Sequence, residues 1–294
     1  MTAPDHSNRP VFAAILGIAL FAAMDAVMKG GALAIGAYSA FLLRCLIGTA
    51  LVAPIWWWRT RKFPRGRTLR IHLVRGTVIS FMGWSFFAAL IRLPLAEAIA
   101  ISFIAPLIAL YLARLLLNEI IKPRAIVGTL MGLAGVLVIV GGRVGTQQLD
   151  SEAATGIGLV LMSAVLFAWN LILQRQQAMV SSPLEASTFQ NGVVTLVLGL
   201  GSPFLLVLPD RETWGLLALG SVLAILAAML FIWAYARSET QRLVPIEYTG
   251  FLWAALFGWI YFAEPIQPIT VAGAGLIVIG CWTASRRRTE QTAL

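Results

Sequence analysis

Apolar runs of membrane-spanning length follow one another along the whole chain, with charged and turn residues confined to the short stretches between them. A bilayer core about 30 Å thick is crossed by about 20 helical residues. Hydrocarbon offers no partner to open backbone groups, which a helix satisfies within itself, and the runs are too long for barrel strands. The pattern predicts spans near residues 11–29, 37–58, 71–92, 95–117, 124–142, 156–176, 184–208, 213–236, 243–263 and 268–285. Gly30-Gly31, the basic run from Arg59 to Arg70, Leu93-Pro94, Gly141 to Thr155, Ser181 to Pro183 and Glu264 to Pro268 are among the expected breaks.

Composition excludes the alternatives. Hydrophobic residues make up 59% of the chain and charged residues 12%, where a soluble domain carries about a quarter charged residues. Mean hydropathy is +0.85. Disordered, collagenous, disulfide-rich and nucleic-acid-binding chains need polar, periodic or Cys-rich compositions that are absent here. Cys45 and Cys281 fall inside apolar runs, where they act as small hydrophobes. The polar start from Met1 to Pro10 leads into a stretch longer than a signal-peptide core, so a retained first helix is expected.

The net charge of +9 is informative by position, because Lys and Arg stay on the cytoplasmic side of short loops. With the amino terminus inside, the inner segments hold Arg9, the run Arg59, Arg61, Lys62, Arg65, Arg67, Arg70 and Arg75, then Lys122, Arg124, Arg175, Arg237, Arg242 and Arg286 to Arg288. The outer segments hold only Lys29, Arg92, Arg143 and Arg211. An even number of spans returns the carboxyl terminus to the cytoplasm. The basic loop and tail are assigned to topology and lipid head groups, and no nucleic-acid partner is expected.

Sliding the sequence on itself by 145 positions aligns the two halves without a gap from Phe86 to Gly135. Phe86 meets Phe231, Arg92 meets Arg237, Glu119 meets Glu264, Pro123 meets Pro268, Gly128 meets Gly273 and Gly135 meets Gly280. Leu, Ile and Ala coincide by chance between any two membrane helices; Arg, Glu, Pro and Gly in register do not. The same shift sets Asp25 opposite Asn170. Two repeats are therefore expected, 1–145 and 146–294. Five spans is an odd number, so the second copy enters the membrane upside down, as in carriers that bind substrate near the midplane between inverted halves.

The segment from Pro94 to Pro106, followed by Asn118-Glu119 and the Gly-spaced helix from Gly128 to Gly135, resembles the repeat unit of EamA-type carriers in the drug/metabolite transporter superfamily. The second copy keeps Pro245, Glu264, Gly273 and Gly280 but has Phe251 in place of Pro106. The resemblance covers nearly the whole chain. It implies an all-α fold of ten spans with both termini cytoplasmic, in a bacterial inner membrane, and is strongest toward exporters of aromatic and other neutral amino acids.

Charges inside spans need a cavity, a partner or a route to the interface. Asp25, Arg44 and Glu247 are candidates for the substrate pathway, although Asp25 could equally pair with Lys29 one turn on, and Arg44 and Glu247 could form bridges between helices. Trp84, Phe87, Ser102, Trp169, Asn170, Tyr235, Tyr248 and Trp253 supply aromatic and polar groups for a cavity wall. Arg114 is placed to snorkel. Pro106 and Pro245 interrupt the central helices as hinges. Glu119 and Glu264 each precede a helix-starting Pro by four residues and are assigned a structural, capping role. Gly128, Gly135, Gly273 and Gly280 form small faces for close helix approach.

His6 lies in the tail and His72 at the start of a span, so no His pair can ligate metal in the core. Phosphate-binding loops, a GxSxG elbow and acidic metal clusters are missing from the sequence. The expectation is a secondary carrier without cofactor or catalytic residues, whose partners are a small-molecule substrate and the bilayer. A lipophilic-cation exporter or a non-transporting scaffold is the alternative.

Overall fold

The computed structural model describes residues 9–105, 108, 111–112, 123–145, 150–235 and 249–285. Ten helices account for almost all of them: α1 (Arg9–Thr60), α2 (Gly66–Leu90), α3 (Leu95–Ser102), α4 (Pro123–Gly145), α5 (Ser151–Ala178), α6 (Pro183–Gly199), α7 (Ser202–Leu205), α8 (Arg211–Tyr235), α9 (Gly250–Phe262) and α10 (Pro268–Ser285). No strand occurs among the described residues. Four of these helices, α1, α2, α5 and α8, contain apolar stretches long enough to cross a membrane; α4, α9 and α10 are shorter apolar helices.

The solvent such a surface requires is visible in its exposure. Large apolar side chains such as Phe12, Trp58, Leu130, Leu196 and Trp259 face outward, while Lys29, Arg44, His72, Arg75, Glu97, Asn170 and Gln177 are buried. An apolar exterior of this extent would associate in water. Around a hydrocarbon-embedded bundle it is the stable arrangement, and it makes the protein an integral, multi-pass membrane protein.

Helix α1 has 52 residues, about 78 Å if straight, more than twice the hydrocarbon thickness. It turns at Gly36, whose φ of 80° and ψ of 152° lie outside the helical region and in a part of φ/ψ space open chiefly to glycine. The two arms are about 40 and 36 Å long. The expected break at Gly30-Gly31 is thus displaced. Both glycines stay helical and serve close approach instead: a Cβ at Gly31 would lie 3.2 Å from Leu217 of α8 and 3.8 Å from Ala40 across the bend.

The span expected over 184–208 is also interrupted. Helix α6 stops at Gly199, α7 is a single turn carrying Pro203, and the chain is then extended to Asp210. Ser39, just beyond the Gly36 bend, satisfies this irregular backbone by donating to the Leu205 carbonyl at 3.3 Å and accepting from the Val207 N–H at 2.9 Å. Three helix starts are capped by side chains, with Asp150 accepting from Ala153 N–H, Ser182 from Glu185 N–H and Asp210 from Thr213 N–H.

Packing relates the halves pair by pair. Helices α4 and α10, which occupy equivalent places in the two copies, run antiparallel: Gly142 lies against Ile269, Gly135 against Gly273, and Gly280 against Gly128. Moving the Gly135–Gly273 contact by 145 positions, one member up and the other down, produces the Gly280–Gly128 contact. In each, an added Cβ would sit 2.5 Å from the facing carbonyl oxygen. The second arm of α1 and α6 are likewise antiparallel, with Gly48 beside Asn191 and Trp56 beside Phe189. So are α3 and α9, where Leu95 meets Gly258 and Phe103 meets Gly250. The first arm of α1 packs on α8 as α5 packs on α2.

Gly135→Val should drive the valine into the Gly273 carbonyl and lower stability by about 1–3 kcal/mol, read as a drop in the thermal unfolding midpoint of the detergent-purified protein. Gly141→Ala, with nothing within 4 Å of the new Cβ, should leave that midpoint unchanged or slightly raised. A second prediction concerns the α8 cap. Hydrogen bonds from Thr213 hold the Asp210 carboxyl below its ordinary pKa. Its contribution is therefore present above the unfolded carboxylate range, about 4, and is lost as pH falls through the lower folded value. Asp210→Ala should lower the midpoint at pH 7, and the gap from the parent protein should close below pH about 4.

Candidate functional site

Buried polar groups gather at the two ends of the bundle, with a third, smaller set between them. At one end Glu264 follows the carboxyl terminus of α9. Ala263 there adopts a left-handed φ of 51°, a helix-ending conformation usually taken by glycine, and the Glu264 N–H returns to the Gly258 carbonyl at 3.2 Å. Gly258 leaves room for the carboxylate, since a Cβ there would lie 2.8 Å from its Oε2. The sequence places Glu264 before α10 as a cap for that helix. Its side chain turns the other way: Oε1 pairs with Lys29 Nζ of α1, and Oε2 accepts from the Leu95 N–H at the start of α3, at 2.7 Å. Lys29 also donates to the Leu93 carbonyl at 2.8 Å and stands 5.1 Å from the Phe262 ring. One ion pair thus fastens α1, the α2–α3 turn and the α9–α10 turn. The local Asp25–Lys29 pair considered from the sequence is not formed. Beside this lock, Pro94, Ala96, Glu97, Pro265, Gln267 and Thr270 border a cavity of about 230 Å³.

At the other end, α2, α5 and α6 contribute a chain of hydrogen bonds. Arg75 Nε donates to Asn170 Oδ1 at 3.0 Å, Nη1 to Gln177 Oε1, and Nη2 to Gln174 Oε1 at 3.5 Å. Gln177 Nε2 reaches His72 Nδ1 at 2.6 Å, and His72 Nε2 reaches Glu185 Oε1 at 3.0 Å. The His72 ring stacks on Phe189 at 4.5 Å, which meets Trp56 and Phe63 edge-on at 5.3 and 5.4 Å. Arg75, Asn170, Gln177 and His72 are all less than 9% exposed.

Between the locks lie Asp25 and Arg44, about 16 and 12 Å along the two α1 arms from Gly36. Asp25 is half-buried and within electrostatic reach of Arg44. Arg44 is buried over the Phe41 ring at 5.2 Å, donates to Cys45 Sγ at 3.2 Å and has its own carbonyl bound by the Ser221 hydroxyl at 2.8 Å. Its Nε has no hydrogen-bond partner among the described residues. Trp84 and Trp253 are half-buried.

Other residues expected at a cavity wall stand elsewhere. Trp169 is 40% exposed and faces outward, bordering a lipid-side groove with Leu73, Val74, Thr77, Phe81 and Leu166; its neighbour Asn170 is the inward-facing member of that pair. Phe87 is packed 5.4 Å from Phe41 and offers almost no free surface. Ser102 donates its hydroxyl to Ile99 one turn back, at 2.8 Å. Pro106, Arg114, Glu119, Pro245, Glu247 and Tyr248 lie outside the described residues, as does the side chain of Tyr235.

In the sequence, Arg75 reads as a topology signal and His72 as the start of a span. A polar stripe was there to be found: Asn170, Gln174 and Gln177 lie at i, i+4 and i+7 on α5, and His72 and Arg75 at i and i+3 on α2.

A polytopic helical membrane protein with antiparallel repeats, sealed by polar contacts at both ends around a pair of opposite charges, is built as a carrier of small molecules. The EamA-like transporter family matches residues 8–141 and 154–286, and the chain belongs to that family. The pseudopaline exporter CntI of Pseudomonas aeruginosa is 26% identical over 281 residues, covering 95% of this chain and 96% of its own. The riboflavin transporter of Brucella anthropi is 25% identical over 71% of this chain and 73% of its own, and the S-adenosylmethionine uptake transporter of Rickettsia felis 26% over 71% and 69%. A solved crystal structure superposes with a TM-score of 0.64 at 19% identity, covering 94% of this chain and 96% of that one.

Glu264→Ala should strand the Lys29 ammonium in a buried site and cost roughly 3–5 kcal/mol. The double variant Lys29→Met with Glu264→Ala should recover most of that loss. Thermal or denaturant unfolding of the four proteins checks the cycle; additive losses would mean that the two residues do not support one another.

Proposed function

We propose that the protein is a secondary carrier that exports aromatic and other neutral amino acids, or related small metabolites, across a bacterial inner membrane by alternating access. In this reading residues 1–145 and 146–294 are two inverted five-helix repeats, making ten spans with both termini in the cytoplasm. Asp25, Arg44, Trp84, Asn170 and Trp253 face the substrate, joined by Tyr235, Glu247 and Tyr248, and Pro106 and Pro245 let the central helices bend.

The observation that carries the proposal is the pair of unlike polar locks at opposite ends of antiparallel halves. A static scaffold gains most from apolar packing and small-residue contacts between helices. Ion pairs and amide–guanidinium bonds can be broken and remade, and placed at the two ends they allow one side to open while the other stays shut. Between them, opposite charges at mid-depth suit a zwitterion, and the half-buried Trp84 and Trp253 supply apolar surface for a side chain. Export is supported by the named exporter that matches along nearly the full chain; the bacterial relatives support the inner membrane.

Purified protein reconstituted into liposomes tests this. Radiolabelled phenylalanine and threonine should equilibrate at least tenfold faster than in protein-free vesicles, and the rate should fall about tenfold in Arg44→Gln. Movement of a quaternary ammonium dye with no movement of either amino acid would overturn the amino-acid reading in favour of a lipophilic-cation exporter, and no flux of any solute would return the scaffold.

A further inference from the structure

Arg75 sits about 14 Å along α2 from its cytoplasmic start and is only 7% exposed. Its three nitrogens donate to the amide oxygens of Asn170, Gln177 and Gln174. Among the described residues no carboxylate lies within ion-pair distance of it. Glu185, at the far end of the chain, is engaged by His72 and separated from Arg75 by Gln177. Among the described residues, a full positive charge is therefore held in the bundle by neutral acceptors alone.

Neutral acceptors satisfy the N–H groups but leave the charge uncompensated. The guanidinium fork matches a carboxylate in two parallel hydrogen bonds and meets in it the opposite charge that amide oxygens lack. Arg75 also lies where a solute arriving from the cytoplasm meets the sealed bundle, below a rim of exposed Arg59, Arg61, Arg67 and Arg70 that raises the local concentration of anions. We propose that Arg75 binds the carboxylate of the transported molecule at the inner entrance, displacing the amide oxygens of Asn170, Gln174 and Gln177 and so opening the inner seal. This rests on the carrier reading above and narrows its substrates to molecules bearing a carboxylate. A solute without one gains nothing at Arg75 that the amides do not already supply, so the seal stays closed to it.

The test uses the full-length protein in detergent and three probes that differ at one group: phenylalanine, 3-phenylpropionate, which keeps the carboxylate and lacks the amine, and phenylalaninamide, which keeps the amine and lacks the carboxylate. Thermal unfolding with each probe gives an apparent affinity. Phenylalanine and 3-phenylpropionate should raise the midpoint and phenylalaninamide should not. Arg75→Lys, which keeps the charge and loses the fork, should weaken the response to both acids about tenfold, and Arg75→Gln should abolish it. The unliganded midpoints show whether each variant is folded, and Arg75→Lys alone decides the matter if Arg75→Gln does not fold. A response to phenylalaninamide equal to that of phenylalanine, or one that survives in Arg75→Lys undiminished, overturns the assignment while leaving the amino-acid reading in place. A response to 3-phenylpropionate without one to phenylalanine supports Arg75 and removes the amino-acid reading. Silence to all three overturns both.

Discussion

Hydrocarbon solvates neither a charge nor an open backbone group, and the placement of every polar side chain in this molecule follows from that. Lys29, Arg44, Arg75, His72 and Glu97 cannot face lipid, so they are driven to the seams between helices, where only another part of the same chain can answer them. The partners they find belong to distant segments: Glu264 for Lys29, Asn170 and Gln177 for Arg75, Glu185 for His72. Each such bond ties one half of the chain to the other. Exclusion from lipid thereby turns a few polar residues into the fasteners of an interface that is otherwise small-residue, aliphatic and aromatic packing.

The backbone honours the repeat more faithfully than the chemistry does. Glycines at equivalent positions bring α4 and α10 into reciprocal contact, a relation that depends only on the absence of a side chain and so survives divergence of everything around it. Side chains at equivalent positions have parted ways. Lys29 corresponds to Gln174 and Asp25 to Asn170 under the 145-residue shift. A cation that needs a carboxylate thus stands at one end where a neutral amide stands at the other. The Lys29 lock is an ion pair with a backbone N–H as third member, and the Arg75 lock is a guanidinium among amides.

Much of this architecture can be read from residue order, and the parts that cannot share a physical reason. Spans, the repeat, the Leu93-Pro94 boundary and the glycine faces are local or periodic, and periodicity is what a linear string preserves. The Gly36 bend was obscured by Gly30-Gly31, because a glycine that permits close helix approach and one that permits positive φ look alike in sequence. Pairings across 235 positions, as for Lys29 and Glu264, have no local mark at all. Glu264 in particular carries the spacing of a cap for α10, yet its own turn at Ala263 aims it at α1. Trp169 and Asn170 show the same limit on a finer scale: adjacent residues on one helix, one facing lipid and one facing Arg75, are told apart only once the packing partner of α5 is known.

The unequal locks respond differently to a charged solute. Separating Lys29 from Glu264 would leave each a hydrated ion, so that the desolvation already spent on burying them is recovered as the Coulomb attraction is lost. Nothing specific to the solute is required. Freeing Arg75 likewise hydrates one cation and several amides, and a ligand of opposite sign adds to that by pairing with the guanidinium. A conformational equilibrium shifts by no more than the difference in a ligand's affinity for its two states. An anionic group therefore biases the Arg75 end more than the Lys29 end, whose two charges already answer one another.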